Sequence, residues 1–139
     1  MNWIFWALLS ALFAAATAIL AKIGVAHVDS NLATAVRTTV VVVFAWIIAV
    51  ALGKHHEFRE LDGHTLLFLG LSGLATGLSW LCYFRALQLG PASRVAPLDK
   101  LSVVLVIVFA ALFLGEKLSP MAILGGVLIT AGAIVMTLA

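Results

Sequence analysis

The sequence predicts an all-α integral membrane protein with five transmembrane helices. Of its 139 residues, 64% are hydrophobic and 10% are charged, and the mean hydropathy is +1.20, a composition that excludes a soluble domain. A membrane span needs about 20 mostly apolar residues. The second and fourth apolar runs reach that length only by extending past Arg37 and Lys100, which places both cations inside the membrane. The five uncharged runs are 3–21, 38–53, 65–84, 101–115 and 118–139.

Composition also limits the chemistry and the partners of the chain. The one cysteine, Cys82, excludes an internal disulfide, and the net charge of +2 is too small to indicate a nucleic-acid partner. The sequence has no glycine-rich phosphate loop and no metal-ligand array, so no cofactor and no metal site are expected. The expected contacts are membrane lipid and a small solute.

The first helix is predicted from Trp3 to Val25, with Lys22 one turn before its end. The short link that follows contains Asp29, a residue type that caps helices. The second helix is predicted from Asn31 to Gly53, with Arg37 in its early turns.

A hydrophilic segment, residues 54–64, separates the second helix from the third. Its acids and histidines could be assembled into a metal site, but they lack a fixed helical spacing, so a solvated loop is the favoured interpretation. The residues concerned are His55, His56, Glu57, Asp62 and His64.

The third helix, predicted from Thr65 to Leu89, has a polar stripe on one face. Ser72, Thr76, Ser79 and Tyr83 follow one another at spacings of four, three and four. Such hydroxyls can be satisfied by carbonyls one turn back, which would make the stripe purely structural. The aromatic pair Trp80 and Tyr83 favours a wall that faces a solute.

The fourth helix is predicted from Pro91 to Gly115, and Pro97 is expected to bend or unwind it just before Asp99 and Lys100. Ser119 and Pro120 are typical of the N-cap and first residue of a fifth helix. Small residues on that helix predict a close helix–helix interface, which we interpret as the dimer contact. They are Gly125, Gly126, Thr130 and Gly132.

Four cations are predicted at one membrane level, because alternating helices bring Lys22, Arg37, Arg85 and Lys100 to the same side. Asp99 is the one acid among them. Two interpretations stay open: cations that snorkel to the interface as anchors, or a vestibule for anionic or zwitterionic solutes. The bias of Lys and Arg between the two sides is weak, as in a protein that inserts in both orientations.

Six segments carry a recognisable family pattern: Arg37-Thr-Thr-Val, Ser72 to Trp80, Tyr83 to Gly90, Ala96 to Ser102, Leu112 to Ser119 and Gly125 to Gly132. They resemble the EamA-type half of the drug/metabolite transporter superfamily, over nearly the whole chain. The resemblance implies a bacterial or archaeal inner-membrane transporter in which two inverted five-helix units form one pathway. Residues 1–139 would be a single such domain, and the second unit must be another chain.

The last two helices are also similar to those of small multidrug resistance exporters, which couple drug export to protons through a membrane-embedded glutamate. No acid lies inside helices one, two, three or five here. The resemblance therefore does not extend to that proton chemistry.

The resulting hypothesis is an inverted homodimer that transports a small anionic or zwitterionic metabolite. Arg37 and Lys100 would attract the negative group, Lys22 and Arg85 would lie nearer the mouth, and Ser79, Trp80 and Tyr83 would form the wall. Asp99 would neutralise a cation or carry a proton. The main alternative is a non-transporting subunit, or a half-transporter that needs a different partner. A membrane enzyme is a more distant alternative, because no nucleophile with a plausible base lies within the spans.

Overall fold

The computed structural model describes residues 2–138 and confirms the all-α class. The helices are α1 (Trp3–Gly24), α2 (Ser30–Ala51), α3 (Gly63–Leu89), α4 (Ala92–Asp99), α5 (Leu101–Phe113) and α6 (Pro120–Leu138). With α4 and α5 counted as one span, five helices are long and apolar enough to cross a membrane. No strand occurs within the described residues.

Capping side chains begin three of these helices, and the sequence predicted two of them, Asp29 and Ser119. An oxygen of Asp29 accepts hydrogen bonds from the backbone N–H groups of Asn31 and Leu32, at 2.9 and 3.2 Å. Asp62 accepts from the N–H of Thr65 at 3.2 Å, and the hydroxyl oxygen of Ser119 accepts from the N–H of Ala122 at 3.1 Å. Each bond satisfies donors that a helix start leaves without intrahelical partners.

The fourth predicted helix is interrupted at a different point from the one expected. The helix continues through Pro97 to Asp99, and the break lies at Lys100 instead of before Asp99. Pro97 removes a single ladder bond, which α4 tolerates. The N–H of Lys100 then bonds the carbonyl of Pro97 at 3.1 Å, and the N–H of Val103 bonds the carbonyl of Lys100 at 3.0 Å. These two three-residue turns tighten the backbone and separate α4 from α5.

The segment between α2 and α3 is more regular than the solvated loop that the sequence suggested. Residues Lys54–Glu60 form a short 3₁₀ helix, which follows Gly53 in the left-handed conformation, with φ of +70°. Its side chains are mostly exposed, and Lys54 pairs with Glu57. Among the residues described, no group of three His, Cys, Asp or Glu side chains converges in a way that could hold a metal ion.

The chain divides into two compact units. One contains residues 21–88, which carry the end of α1, α2 and α3, and the other contains residues 2–20 and 89–138. In the unit that contains residues 89–138, both α4 and α5 pack against α6. In the first, the largest fully buried side chains are Val25 and Leu87, with Phe84 also buried.

Most side chains of the spans are exposed in the single chain. No span buries more than 11% of its most apolar window, although almost every residue there is hydrophobic. Water would make such exposure unfavourable, whereas lipid or another membrane chain covers apolar surface without penalty. The exposure therefore agrees with a membrane-embedded chain.

A glycine ends α5 in the left-handed conformation. Gly115 has a φ of +69°, and the N–H of Glu116 bonds the carbonyl of Ala110 at 3.2 Å, so a left-handed glycine just past the helix end directs a donor back to a carbonyl of the last turns. The turn toward α6 depends on this conformation, which a side chain disfavours.

We expect the same substitution to have opposite effects at two glycines. Gly115→Ala should lower the free energy of unfolding by about 1 kcal/mol, because alanine is disfavoured at positive φ. Gly70→Ala, inside α3 with open space around it, should raise it by about 0.5–1 kcal/mol. Denaturant titration of purified protein in mixed micelles measures both, and a stabilised Gly115→Ala variant would contradict the assigned turn.

Candidate functional site

An arginine within a membrane span lies over aromatic rings. Arg37 lies about 10 Å along α2 from its first residue, and its guanidinium carbon is 4.1 Å from the centroid of the Trp80 ring and 5.5 Å from that of Phe84. Trp80 and Phe84 are four residues apart on α3 and so share one face. Arg37 and Trp80 are half-buried, and Phe84 is 3% exposed. We call these three residues the arginine–aromatic site.

Within residues 2–138, no carboxylate pairs with Arg37 and no hydrogen bond joins it to another residue. Two hydroxyls on the same helix are already engaged, since Thr34 donates to the carbonyl of Ser30 at 2.8 Å and Thr38 to that of Thr34 at 2.7 Å. The rings stabilise the cation through their faces. Its N–H donors remain available for water or a ligand.

The ends of α1 and α3 are held together by side chains that bond the backbone of the other helix end. The ammonium of Lys22 donates to the carbonyl of Leu87. In return, the amide nitrogen of Gln88 donates to the carbonyls of Val25 and Val28, at 3.2 and 2.6 Å. Arg85 donates to the amide oxygen of Gln88 at 3.0 Å. We call Lys22, Arg85 and Gln88 the carbonyl clamp.

The clamp gives Lys22 and Arg85 protein partners in addition to their predicted contact with a solute. Helix ends carry carbonyls without intrahelical partners, and in a membrane protein such groups must be satisfied by protein or water. A cavity of about 260 Å³ lies beside the clamp, lined by Lys22, Val25, Ala26, Leu87 and Gln88. Sequence reasoning placed Gln88 only at the end of a helix and missed its role, although an amide in a last helical turn is a usable signal.

The polar stripe of α3 is divided between structural and open positions. Thr76 donates to the carbonyl of Ser72 at 2.9 Å, which is the purely structural arrangement. Ser79 is exposed, and Tyr83 is half-buried. Their contact with a solute stays a prediction.

Asp99 and Lys100 lie at the break between α4 and α5. The ammonium of Lys100 is 3.6 Å from a carboxylate oxygen of Asp99, and the two side chains are 58% and 38% exposed respectively. An ion pair this exposed contributes little to stability. Both groups therefore remain accessible. The predicted position of four cations, Lys22, Arg37, Arg85 and Lys100, at one membrane level stays a prediction.

The small residues of α6 lie on two sides of the helix. Gly126 is buried, and a Cβ atom there would lie 3.8 Å from Ile107 of α5. Thr130 donates to the carbonyl of Gly126 at 2.9 Å, and both line an apolar groove between α5 and α6. Gly125 and Gly132 have open space beside them. The dimer face stays a prediction. Of the predicted small residues, Gly126 already packs against α5, whereas Gly125 and Gly132 leave room for the close approach of another helix.

Comparison with known proteins assigns the family. The model of the EamA-like transporter family matches residues 1–138. The chain belongs to the EamA-like transporter family. A protein of Sinorhizobium sp. described as an uncharacterized transporter in the cobO 3′ region is 57% identical over 135 residues, which are 97% of this chain and 96% of that protein. No solved structure gives a significant match.

Membership confirms the resemblance and the multi-pass bacterial membrane location of this EamA chain. It points to a transporter rather than to an enzyme. The part of the chain that the family model matches, residues 1–138, contains five candidate spans. The Sinorhizobium relative aligns with 97% of the chain.

Removing the amide of Gln88 should test the carbonyl clamp. Gln88→Leu leaves the carbonyls of Val25 and Val28 without their donor, so the free energy of unfolding should fall by about 1–3 kcal/mol. Arg85→Leu removes one exposed bond to the same amide and should cost less, about 0.5 kcal/mol. Unfolding of both variants in the same detergent gives the comparison. Equal losses would mean that the carbonyl bonds of Gln88 do not hold the helix ends.

Proposed function

We propose that this EamA chain is a secondary transporter of a small anionic or zwitterionic metabolite. It works as an antiparallel homodimer of single EamA-type domains. The observation that carries the proposal is Arg37, a cation within a membrane span that has aromatic neighbours but no acid partner among the described residues.

The energetics of Arg37 support a negatively charged group on the solute. A central arginine costs about 2.5–3.5 kcal/mol on insertion scales, and the aromatic faces of Trp80 and Phe84 offset about 0.5–2 kcal/mol of that. A bound anion neutralises the remaining charge. In the absence of solute, Arg37 requires water, so the site also predicts a water-filled path that reaches it.

Asp99 and Lys100 support a second polar point on the path. Asp99 is the one acid within the five spans, and it lies where the fourth span is broken. Broken helices in transporters occur where backbone lines a cavity. Lys100 offers positive charge to the solute, and Asp99 neutralises a cation or carries a proton.

A homodimer completes the arrangement of which the single unit supplies one half. Transport in inverted-repeat folds works by rocking two repeats about a central site, and one five-helix unit supplies half of that arrangement. The open side of α6 around Gly125 and Gly132 permits close helix approach. The alternative, a half-transporter that needs a different membrane partner, is separated by reconstitution of the pure chain in liposomes, where such a subunit would transport nothing.

Replacing Lys100 should abolish transport while preserving assembly. Lys100→Met keeps the length and apolar character of the side chain, so folding and dimer content should persist while solute uptake falls at least about tenfold. Lys117→Met makes the same change in the loop before α6 and should transport normally. For both variants, the uptake of solute into proteoliposomes down its own concentration gradient is measured at equal protein content. Normal uptake by Lys100→Met would remove Lys100 from the path.

Orientation provides the sharpest test of the antiparallel dimer. Five spans place the two ends of the chain on opposite sides, so a reporter fused after Ala139 should show both cytoplasmic and external populations. Added lysines beside Glu116 should bias insertion to one orientation, because loop Lys and Arg set topology. Transport should then fall by more than half.

The matched control is a variant biased the opposite way, with lysines added beside His27 on the other side of the membrane. It should be equally inactive alone, and co-expression of the two should restore transport. A single orientation in the unmodified, fully active protein would favour a parallel assembly instead.

A further inference from the structure

We infer that the carbonyl clamp is the latch of a gate, which closes one end of the unit of residues 21–88 and opens during each transport cycle. The inference rests on the proposed function, since a gate has a meaning only in a transporter, and it deepens that function by naming a moving part. Three observations carry it: a decline of burial along one face of α3, the position of the arginine–aromatic site on that face, and the kind of bond that the clamp makes.

Burial declines along one face of α3 from the clamp toward the other end of the helix. Gly73, Gly77, Trp80, Phe84 and Leu87 follow one another at spacings of four, three, four and three, so they share that face. Leu87 is 0% exposed and Phe84 is 3% exposed. Trp80 and Gly77 are half-buried, whereas Gly73 is exposed and has open space beside it. The face is therefore closed at the clamp and open at the far end.

The whole unit of residues 21–88 shows the same asymmetry. Its buried residues all lie around the end of α1, the start of α2 and the end of α3: Ala21, Val25, Ser30, Thr34, Phe84 and Leu87. No residue from 35 to 83 is buried. The three largest apolar side chains of this set, those of Val25, Phe84 and Leu87, lie behind the clamp, and we call them the apolar plug.

The arginine–aromatic site lies on the inner side of the plug. Along α3 from its end, Gln88 of the clamp comes first, then the plug with Phe84, and then Trp80, one turn further in. The guanidinium of Arg37 lies over both of these rings. A solute at Arg37 is thus reached from the open end, while the plug separates it from the clamp end. Release past the plug requires the ends of α1 and α3 to move apart.

The bonds of the clamp are suited to a reversible latch. Lys22 and Gln88 bond carbonyls through their side chains, so the helix ends can separate without the loss of any bond inside a helix. The bond from Gln88 to Val28 is exposed, and the one to Val25 is only partly buried. Water can therefore replace the amide at both carbonyls. Each such exchange costs little, because the net contribution of one hydrogen bond is small.

One latch in each chain can serve both sides of the membrane. In the proposed antiparallel dimer the two copies carry their clamps on opposite sides, so opening one clamp while the other stays closed gives access to one side at a time. The alternative is that the two copies rock as rigid bodies and both clamps stay closed. A covalent tie across the clamp stops transport only in the first case.

The first experiment ties the ends of α1 and α3 together. Ala26→Cys and Leu87→Cys, combined with Cys82→Ala, place two thiols on the cavity beside the clamp, where a short bifunctional methanethiosulfonate joins them. The probe is a radiolabelled mixture of amino acids and short carboxylic acids. Its uptake into proteoliposomes should fall at least about tenfold, and dithiothreitol should restore it. As a control, Leu32→Cys and Val36→Cys, one turn apart and exposed on α2, are tied within a single helix and should leave uptake normal.

The second experiment measures closure without transport, in phosphatidylcholine nanodiscs. Leu87→Cys with Cys82→Ala should react slowly with a water-soluble maleimide, because a buried thiol reacts only when the helix ends separate. Gln88→Leu removes the latch and should raise this rate at least about fivefold. Ala133→Cys, at a 4% exposed position of α6, should react at a rate that Gln88→Leu leaves unchanged. Val25→Cys, at 1% exposure, repeats the measurement on the other side of the plug if Leu87→Cys does not fold.

Three results would overturn the gate. Uptake that a complete tie between positions 26 and 87 leaves unchanged would make the clamp a static link between helix ends. Rapid labelling of the plug positions with Gln88 in place would show that this end of the unit is not closed. Equal acceleration at position 133 and at the plug would show that Gln88→Leu loosens the whole chain.

Failure of the gate is distinguishable from failure of the proposed function. A chain that transports the probe equally with and without the tie retains the proposed function and loses the gate. A chain that takes up none of the probe even when it is untied loses the proposed function, and the role of the gate in transport with it. The labelling rates then still show whether Gln88 holds the helix ends closed.

Discussion

Charge in a membrane must be compensated, and four cations of this chain, Lys22, Arg37, Arg85 and Lys100, are compensated in three different ways. Lys22 and Arg85 bond carbonyl and amide oxygens at the ends of α1 and α3. Lys100 lies beside the acid Asp99. Arg37 has only ring faces, which attract a cation but accept no hydrogen bond in the guanidinium plane. Of these cations, Arg37 has the least complete compensation, and its site is therefore the one that gains most from an anionic ligand.

The same constraint applies to backbone groups. A helix end that lies at membrane depth needs donors for its last carbonyls, and the carbonyl clamp supplies them from side chains of the neighbouring helix end. The clamp and the arginine–aromatic site share α3: Phe84 lies one turn before Gln88 on that helix, and Trp80 lies two turns before it. A structural bond network and a candidate ligand site thus occupy successive turns of one helix. Any movement of α3 that alters one has a direct route to the other.

Packing inside the single unit is limited. Six hydrophobic residues are buried among those described: Ala18, Ala21, Val25, Phe84, Leu87 and Ala133. A unit of this kind does not have a core like that of a soluble domain, and its apolar surface is matched to lipid instead. Association with a second unit then depends on shape, through small residues that allow close approach, rather than on removing apolar surface from water.

The sequence by itself determined the class, the number of spans and most helix ends. Hydrophobic runs of sufficient length specify spans directly, and caps such as Asp29 and Ser119 act on backbone groups within three residues, so both are local properties. The sequence also indicated that Arg37 and Lys100 lie within spans. It placed the helix break before Asp99 rather than at Lys100. The position of the break depends on the N–H of Lys100, which bonds the carbonyl three residues back, that of Pro97, and a sequence pattern does not specify that choice.

Only the tertiary structure decided how those cations are used. Lys22 and Leu87 are 65 positions apart, and Gln88 lies 60 or more positions from the carbonyls that it bonds, so no local pattern announces these contacts. The contact of Arg37 with the Trp80 ring likewise joins two different helices. Gly126 faces α5, whereas Gly125 and Gly132 do not. The sequence could not make this distinction, because small residues occur on more than one side of α6 and each of those sides permits close packing.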